Sequence, residues 1–236
     1  MNGTLYLIPV TLGEESNSVE VLPSGTLSIL RNLKEFIVEN EKSARAFLKS
    51  AGTTIAMPDL ILHPIGKHIS PVQMNSYLNN AKKGAVIGLL SEAGCPGVAD
   101  PGAQIVSMAH KGGIKVIPLV GPSSLLLALM ASGMNGQDFH FHGYIPIDKT
   151  ARFDFLKHIE RETKKYGTTH FFIETPFRNN HMLEDLLKAL DNGTKLCIAC
   201  DINLPKEFIR TLTIGDWKIN ASPDLHKRPA VFLIGK

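Results

Sequence analysis

Three cysteines, one tryptophan and four tyrosines are all that 236 residues hold of these types. The cysteines, Cys95, Cys197 and Cys200, are few and odd in number, which excludes a disulfide framework and suits a reducing compartment. Cys197-Ile-Ala-Cys200 lies within an apolar strand, where residues three apart face opposite ways. Redox and zinc chemistry at that pair are therefore not expected. Long apolar runs are missing too. The most apolar stretch, Leu119 to Met134, is broken by Gly121, Pro122, Ser123 and Ser124 and is shorter than a bilayer span. The first residues carry no cationic segment, and their apolar run stops at Gly13-Glu14-Glu15, which argues against a signal peptide. Net charge is a mild +3. All of the excess follows Phe139, where fifteen Lys/Arg stand against twelve Asp/Glu. A preference for a polyanion thus belongs to the second half, which holds Arg152, Lys157, Arg161, Lys164 and Lys165. The last four fall at spacings that let most of them share one broad helical face, the alternative being a solvated helix partly neutralised by Glu160 and Glu162. No phosphate loop of the G-x-x-x-x-G-K-[ST] kind occurs, and Glu92-Ala-Gly-Cys-Pro-Gly97 fails the dinucleotide fingerprint because Pro96 and Pro101 delay the helix until Ala103. These absences describe a soluble, cytoplasmic protein with no membrane partner.

What is present is ordinary globular composition, 44 % hydrophobic and 20 % charged. Short continuous apolar runs at Thr4–Pro9, Glu35–Val38, Ala85–Leu90 and Ile114–Pro118 read as buried strands. Helices are expected between them at Thr26–Leu33, Ser43–Leu48 and Ala103–His110, with another at Ser123–Ser132. Strand–loop–helix repetition with unbroken apolar strands predicts a parallel sheet covered on both faces. After Phe139 the pattern changes. Residues 139–145 alternate, a charged helix spans Phe153–Lys165, and strands follow at Thr169–Ile173, Lys195–Cys200 and Ala230–Ile234, with a polar stretch before the last. The expected fold is α/β in two domains, 1–120 with a parallel sheet and 121–236 with a mixed one.

Ligands of open parallel sheets bind outside the carboxyl ends of the strands. Three loops there are unusual: Pro9-Val-Thr-Leu-Gly13, Ser91-Glu-Ala-Gly-Cys-Pro-Gly-Val-Ala-Asp-Pro-Gly102 and Val120-Gly-Pro-Ser-Ser124. Glycine lets backbone approach a ligand, and proline keeps the loop stiff so that little entropy is lost on binding. Tight turning explains one such loop better than it explains three at the same edge. Rigid backbone suits a nucleoside with an amino-acid tail better than it suits bond cleavage by a side chain.

These loops, with Leu5-Tyr-Leu-Ile-Pro9, Ser132-Gly133, Gly143-Tyr-Ile-Pro146, Glu174-Thr-Pro-Phe-Arg178 and Arg228-Pro-Ala-Val-Phe-Leu-Ile-Gly235, resemble the tetrapyrrole-methylase superfamily. Within it they resemble most the branch typified by ribosomal RNA small subunit methyltransferase I. The resemblance implies a homodimeric two-domain α/β methyltransferase holding S-adenosylmethionine in the interdomain cleft, with RNA of the small ribosomal subunit as partner. Carried onto this sequence, it implies cofactor contacts at Pro9, at Ala93, Gly94 and Cys95 for the methionine part, and at Val98 in the pocket wall. Ser123 and Ser124 would stand by the carboxylate or ribose, and Ile173, Glu174, Pro229 and Ala230 would frame the adenine. Two features depart from the branch. Its Ala-Glu-Asp-Thr-Arg motif corresponds to Val38-Glu-Asn-Glu-Lys-Ser-Ala-Arg45, where only Glu39 survives and Arg45 is displaced. A short C-terminal extension common in the branch does not follow the last strand. The implied activity is methylation of a ribose 2′-hydroxyl, with Glu39 as the residue that takes the proton. The alternatives are a methylase of a tetrapyrrole or other small molecule, and a non-catalytic paralogue that keeps the cofactor fold.

Other residues invite functional readings that plainer ones match. His140 and His142 share a strand face, yet nothing nearby in sequence completes a metal shell, so no metal ligand is assigned. His63 and His68 flank a loop that either reaches the acceptor or is plain surface. Asp100 before Pro-Gly reads as a turn cap rather than a base. Glu174 has two readings, a bond to the cofactor or a pair with Arg178.

Overall fold

The computed structural model describes residues 2–66 and 69–236 and divides into two compact units, Met1–Ser123 and Ser124–Lys236. His68 lies outside the described residues. The first unit carries β1 (Thr4–Ile8), α1 (Ser18–Val21), α2 (Ser24–Asn32), β2 (Glu35–Val38), α3 (Glu41–Ser50), β3 (Ile61–Pro64), α4 (Pro71–Ser76), α5 (Asn79–Lys82), β4 (Val86–Leu90), α6 (Gly102–Lys111) and β5 (Lys115–Pro118). Its strands form one parallel sheet in the order β3-β2-β4-β1-β5. Successive side chains leave opposite faces. Accordingly Ile8, Phe36, Val38 and Leu90 pack with Leu27, Leu30 and Leu48 on one side. Leu5, Ile37, Ile87 and Leu89 pack with Leu78, Ile105 and Ala109 on the other. Covering both faces is what made these strands read as unbroken apolar runs.

The second unit comprises α7 (Ser124–Ser132), β6 (Phe139–Tyr144), α8 (Lys149–Tyr166), β7 (Thr169–Ile173), α9 (Asn179–Ala189), β8 (Lys195–Cys200), β9 (Phe208–Thr213), α10 (Ile214–Ile219) and β10 (Ala230–Gly235). Its sheet runs β6-β7-β10-β8-β9, with β6 and β7 parallel and the other neighbours antiparallel. The core holds Trp217, Phe172, Phe232 and Leu156, and the Trp217 indole donates to the Leu196 carbonyl at 2.9 Å, so its one polar atom is satisfied. Cys197 and Cys200 are buried free thiols on β8, and burial pushes Cys200 up to about 11.

Several elements differ from the sequence reading. The polar stretch after β8 contains β9 and α10, because an edge strand with half-buried residues (Phe-Ile-Arg-Thr-Leu-Thr) has no clean apolar pattern. Helix α8 begins at Lys149 rather than Phe153, since Asp148 accepts from the Ala151 N–H at 2.9 Å and caps it. The expected open basic face on α8 is also corrected. Arg152 bonds Asp185 at 2.9 and 2.5 Å. Lys157 bonds Asp191 at 3.0 Å and Glu160 at 3.2 Å, and Lys164 pairs with the same two carboxylates. The lysines hold Asp191 down to about 2, Lys164 first. Three of the five cations therefore have carboxylate partners within this unit.

Candidate active site

At the carboxyl edge of the first sheet the three loops lock together. The Val10 N–H donates to the Gly94 carbonyl at 2.9 Å, which also accepts from the Ser91 hydroxyl at 2.8 Å. The Cys95 thiol donates to the Pro122 carbonyl at 3.4 Å. The Thr26 hydroxyl holds the Val120 carbonyl at 2.7 Å. Gly121 lies so close to Pro9 that a Cβ there would stand 2.4 Å from the Pro9 Cβ. Gly94 has φ +72°, a conformation that an L side chain resists, and its ideal Cβ would meet Leu12 Cδ2 at 3.3 Å and the Pro122 carbonyl at 3.5 Å. Strand order explains the convergence: β4 and β5 flank β1, so the loops leaving all three meet at one edge.

The loop from Ser91 to Gly102 is braced internally. Asp100 Oδ1 accepts from the Gly97 N–H at 2.7 Å and the Gly102 N–H at 2.8 Å, so Asp100 caps its own turn. Burial raises its pKa against those bonds. Pro9 and Gly94 are buried and Cys95 is half-buried, while Ala93 and Val98 are exposed. Ser123 and Ser124 are half-buried, the latter opening α7.

Glu39 stands at the end of β2, which neighbours β4. Its Oε1 accepts from the Glu92 N–H at 3.1 Å. Burial raises its pKa, the Glu92 N–H opposes that, and the carboxylates of Asp100 and Glu92 add to it. Glu92 Oε1 in turn accepts from the Ser43 hydroxyl at 2.7 Å. Asn40 caps α3 by accepting from the Lys42 and Ser43 N–H groups at 2.8 and 3.3 Å, and Arg45 is turned to the Met57 carbonyl at 2.7 Å. A cavity of about 550 Å³ opens beside this group, lined among others by Thr11, Gly13, Lys42, Ser43, Ser91 and Glu92. Its size falls in the ~300–1,000 Å³ range of small-molecule sites. Ser43 and Lys42 were missed from the sequence. The available signal was Asn40, a good N-cap residue just ahead of α3.

In the second unit Ile173, Glu174, Pro229 and Ala230 come together at one end of adjacent strands, with Ile173 opposite Val231. Glu174 is buried, and its Oε1 accepts from the Thr175 N–H at 2.5 Å and from Arg178 Nη2 at 2.6 Å. The pair with Arg178 is thus formed. His63 Nε2 sits 2.8 Å from Glu35 Oε1 and stacks on Tyr77, a local structural contact.

Three rigid backbone loops knotted at the carboxyl edge of a parallel sheet, a positive-φ glycine at their centre and an adjoining cavity of mixed polar and apolar lining fit an adenosyl amino acid held mainly by main chain. Solved structures share the fold. A methyltransferase CobJ structure matches at TM-score 0.65 and 19 % identity, covering 99 % of this chain and 94 % of that one. A uroporphyrin-III C-methyl transferase from Thermus thermophilus complexed with S-adenyl homocysteine matches at 0.57 and 19 %, covering 99 % and 98 %. No family model matches the chain. Among curated proteins, ribosomal RNA small subunit methyltransferase I of Buchnera aphidicola (Schizaphis graminum) is 30 % identical over 207 residues, 88 % of this chain and 68 % of that protein. The proteins of that name from Halalkalibacterium halodurans and Vibrio cholerae are 32 % identical over 193 residues and 28 % over 212, covering 80 % and 90 % of this chain and 61 % and 69 % of theirs. The chain is an S-adenosylmethionine-dependent methyltransferase. It belongs to the family of ribosomal RNA small subunit methyltransferase I. Among the described residues no helix is long and apolar enough to cross a membrane.

Proposed function

We propose that this chain methylates a ribose hydroxyl in the RNA of the small ribosomal subunit, as a homodimer in the cytoplasm. The relatives' names supply the acceptor. The observation that carries the site assignment is the mutual locking of the three loops through Val10–Gly94, Cys95–Pro122 and Pro9–Gly121. In this reading Pro9, Ala93, Gly94, Cys95 and Val98 bind the cofactor's amino-acid side, and Ser123 and Ser124 its carboxylate or ribose. Ile173, Glu174, Pro229 and Ala230 frame the adenine. The cofactor, when bound, supplies a methyl already activated on sulfonium. The chain then has to align the acceptor with that methyl and keep water out, and the stiff loops do this at little entropic cost.

Glu39 takes the acceptor's proton. Its raised pKa brings it nearer neutrality, where a general base works best. The Glu92 N–H and, through Glu92, Ser43 hold it in place. Lys42 and Ser43, lining the adjoining cavity, meet the phosphodiester of the acceptor strand. The test is transfer of labelled methyl from S-adenosylmethionine to isolated small subunits and to their naked RNA, alongside modification maps of cells with and without the gene. Absence of label in both RNA forms, from protein that binds S-adenosylhomocysteine in calorimetry, would refute the RNA acceptor and leave the cofactor assignment standing.

A further inference from the structure

Three imidazoles meet on the second sheet, on groups the methyl-transfer reading does not use. Parallel pairing sets His140 of β6 opposite His170 of β7, and His142, two residues on, leaves the same face. One ring nitrogen from each lies within 4.8 Å of the others. His142 Nε2 is 2.8 Å from His170 Nδ1, and the rings of His140 and His142 stack with centroids 4.2 Å apart. Burial is graded across the cluster: His170 is 1 % exposed, His142 half-buried and His140 open to solvent. The remaining nitrogen of His170, Nε2, is buried without a hydrogen-bond partner, with Glu162 Oε2 of α8 standing 3.7 Å away.

We propose that His140, His142 and His170 bind one divalent transition-metal ion of the Zn²⁺ kind, with a fourth position open to solvent. Three imidazoles without a carboxylate suit zinc, copper or nickel and disfavour magnesium and calcium. Tetrahedral zinc with Zn–N of ~2.0–2.1 Å sets its nitrogens roughly 3.4 Å apart. The 2.8 Å pair opens slightly, and rotation of the exposed His140 closes the wider gap. Binding through His170 Nδ1 fixes the proton on Nε2, where Glu162 is placed to accept it. That is the carboxylate–histidine–metal arrangement which orients a ligand imidazole. The orphaned nitrogen thereby acquires a purpose. The ion ties the edge strand β6 to β7 at the irregular pairing between Phe141 and Tyr144, within which His142 lies. Ile173, the proposed adenine contact, is three residues further along β7, about 10 Å away. The ion therefore acts on the stability of the sheet edge rather than on the cofactor.

The test uses the full chain without a histidine tag, stripped with chelator and titrated with ZnCl₂ by calorimetry. One ion per chain at micromolar affinity or tighter, with a melting temperature that rises on addition and falls again with chelator, is the expected result. His140 is exposed, so His140→Ala folds; it is expected to weaken zinc at least tenfold. Glu162→Gln, which leaves all three ligands, is expected to weaken it about tenfold, the low end for an outer partner. S-adenosylhomocysteine binding should be unchanged in both. No binding to the wild type overturns the proposal. So does binding whose affinity and stoichiometry are the same in His140→Ala and in His142→Gln, since the ion would then sit on other histidines.

Discussion

Gly94→Ala separates the backbone strain at the site from its role in binding. At φ +72° an alanine costs about 1–2 kcal/mol, the usual penalty for a Cβ in the left-handed region. Sterics add little, because the nearest atom, at 3.3 Å, is the flexible end of Leu12, which can give by a few tenths of an ångström. Against a typical total stability of about 5–15 kcal/mol the variant stays folded. For a chain of this size each kcal/mol lowers the melting temperature by roughly 2–4 °C, so a fall of about 2–8 °C is expected. Gly133→Ala is the control, with φ +69° and nothing within 4 Å of its Cβ; it should lose similar stability. Only the Gly94 variant should lose ligand binding. Relaxing φ there swings the flanking peptides of Ala93 and Cys95 and strains the Val10 and Ser91 bonds to the Gly94 carbonyl. The assay is thermal denaturation with and without S-adenosylhomocysteine. Wild type at a ligand concentration 100 times Kd should gain about 2.7 kcal/mol. A Gly94→Ala protein that gains as much would refute the reasoning, as would one that melts with wild type.

Glu39→Gln tests both the charge and the base. Burial favours the protonated carboxyl in the folded state, so the folded pKa exceeds the unfolded one. The native state then binds the extra proton, and stability falls as pH rises through that window. The variant should therefore gain melting temperature over wild type above the window and match it below. Its methyl transfer should fall by about 10²–10⁴-fold with cofactor affinity intact; an unchanged rate removes Glu39 from the chemistry. Asp100→Ala should cost about 1–3 kcal/mol by freeing the Gly97 and Gly102 N–H groups. Asp100→Asn, whose carbonyl accepts both, should cost less in chemical denaturation, and equal losses would show that charge rather than capping matters. Reversing Lys157 and Lys164 to glutamate should lower the melting temperature, because both pair with Asp191 and with buried Glu160. The salt dependence of RNA affinity should stay as it is; a slope flattened by more than about one charge would restore this face as the RNA contact.

Much of the chain could be read before folding. Buried parallel strands announce themselves because each must be apolar on both faces, and glycine and proline mark the loops because they meet the backbone demands there at least cost. The three loops, the capping role of Asp100 and the buried state of Cys197 and Cys200 rest on such local rules. Exposed elements were not legible: β3 and β9 are edge strands of exposed or half-buried residues, and neither carries a clean hydrophobic period. Pairings between distant residues were beyond any local rule. The sequence shows Glu39, Ser43 and Glu92 as three unconnected polar residues, and only the adjacency of β2 and β4 joins them. It shows a basic run on α8, and only the fold brings Asp185 and Asp191 to neutralise it. It shows two histidines on one strand, and the parallel pairing of β6 with β7 supplies the third. Local conformational preference acts over a few residues and is written in them. Electrostatic and ligand geometry depends on which strands become neighbours, and that is decided when the sheets assemble.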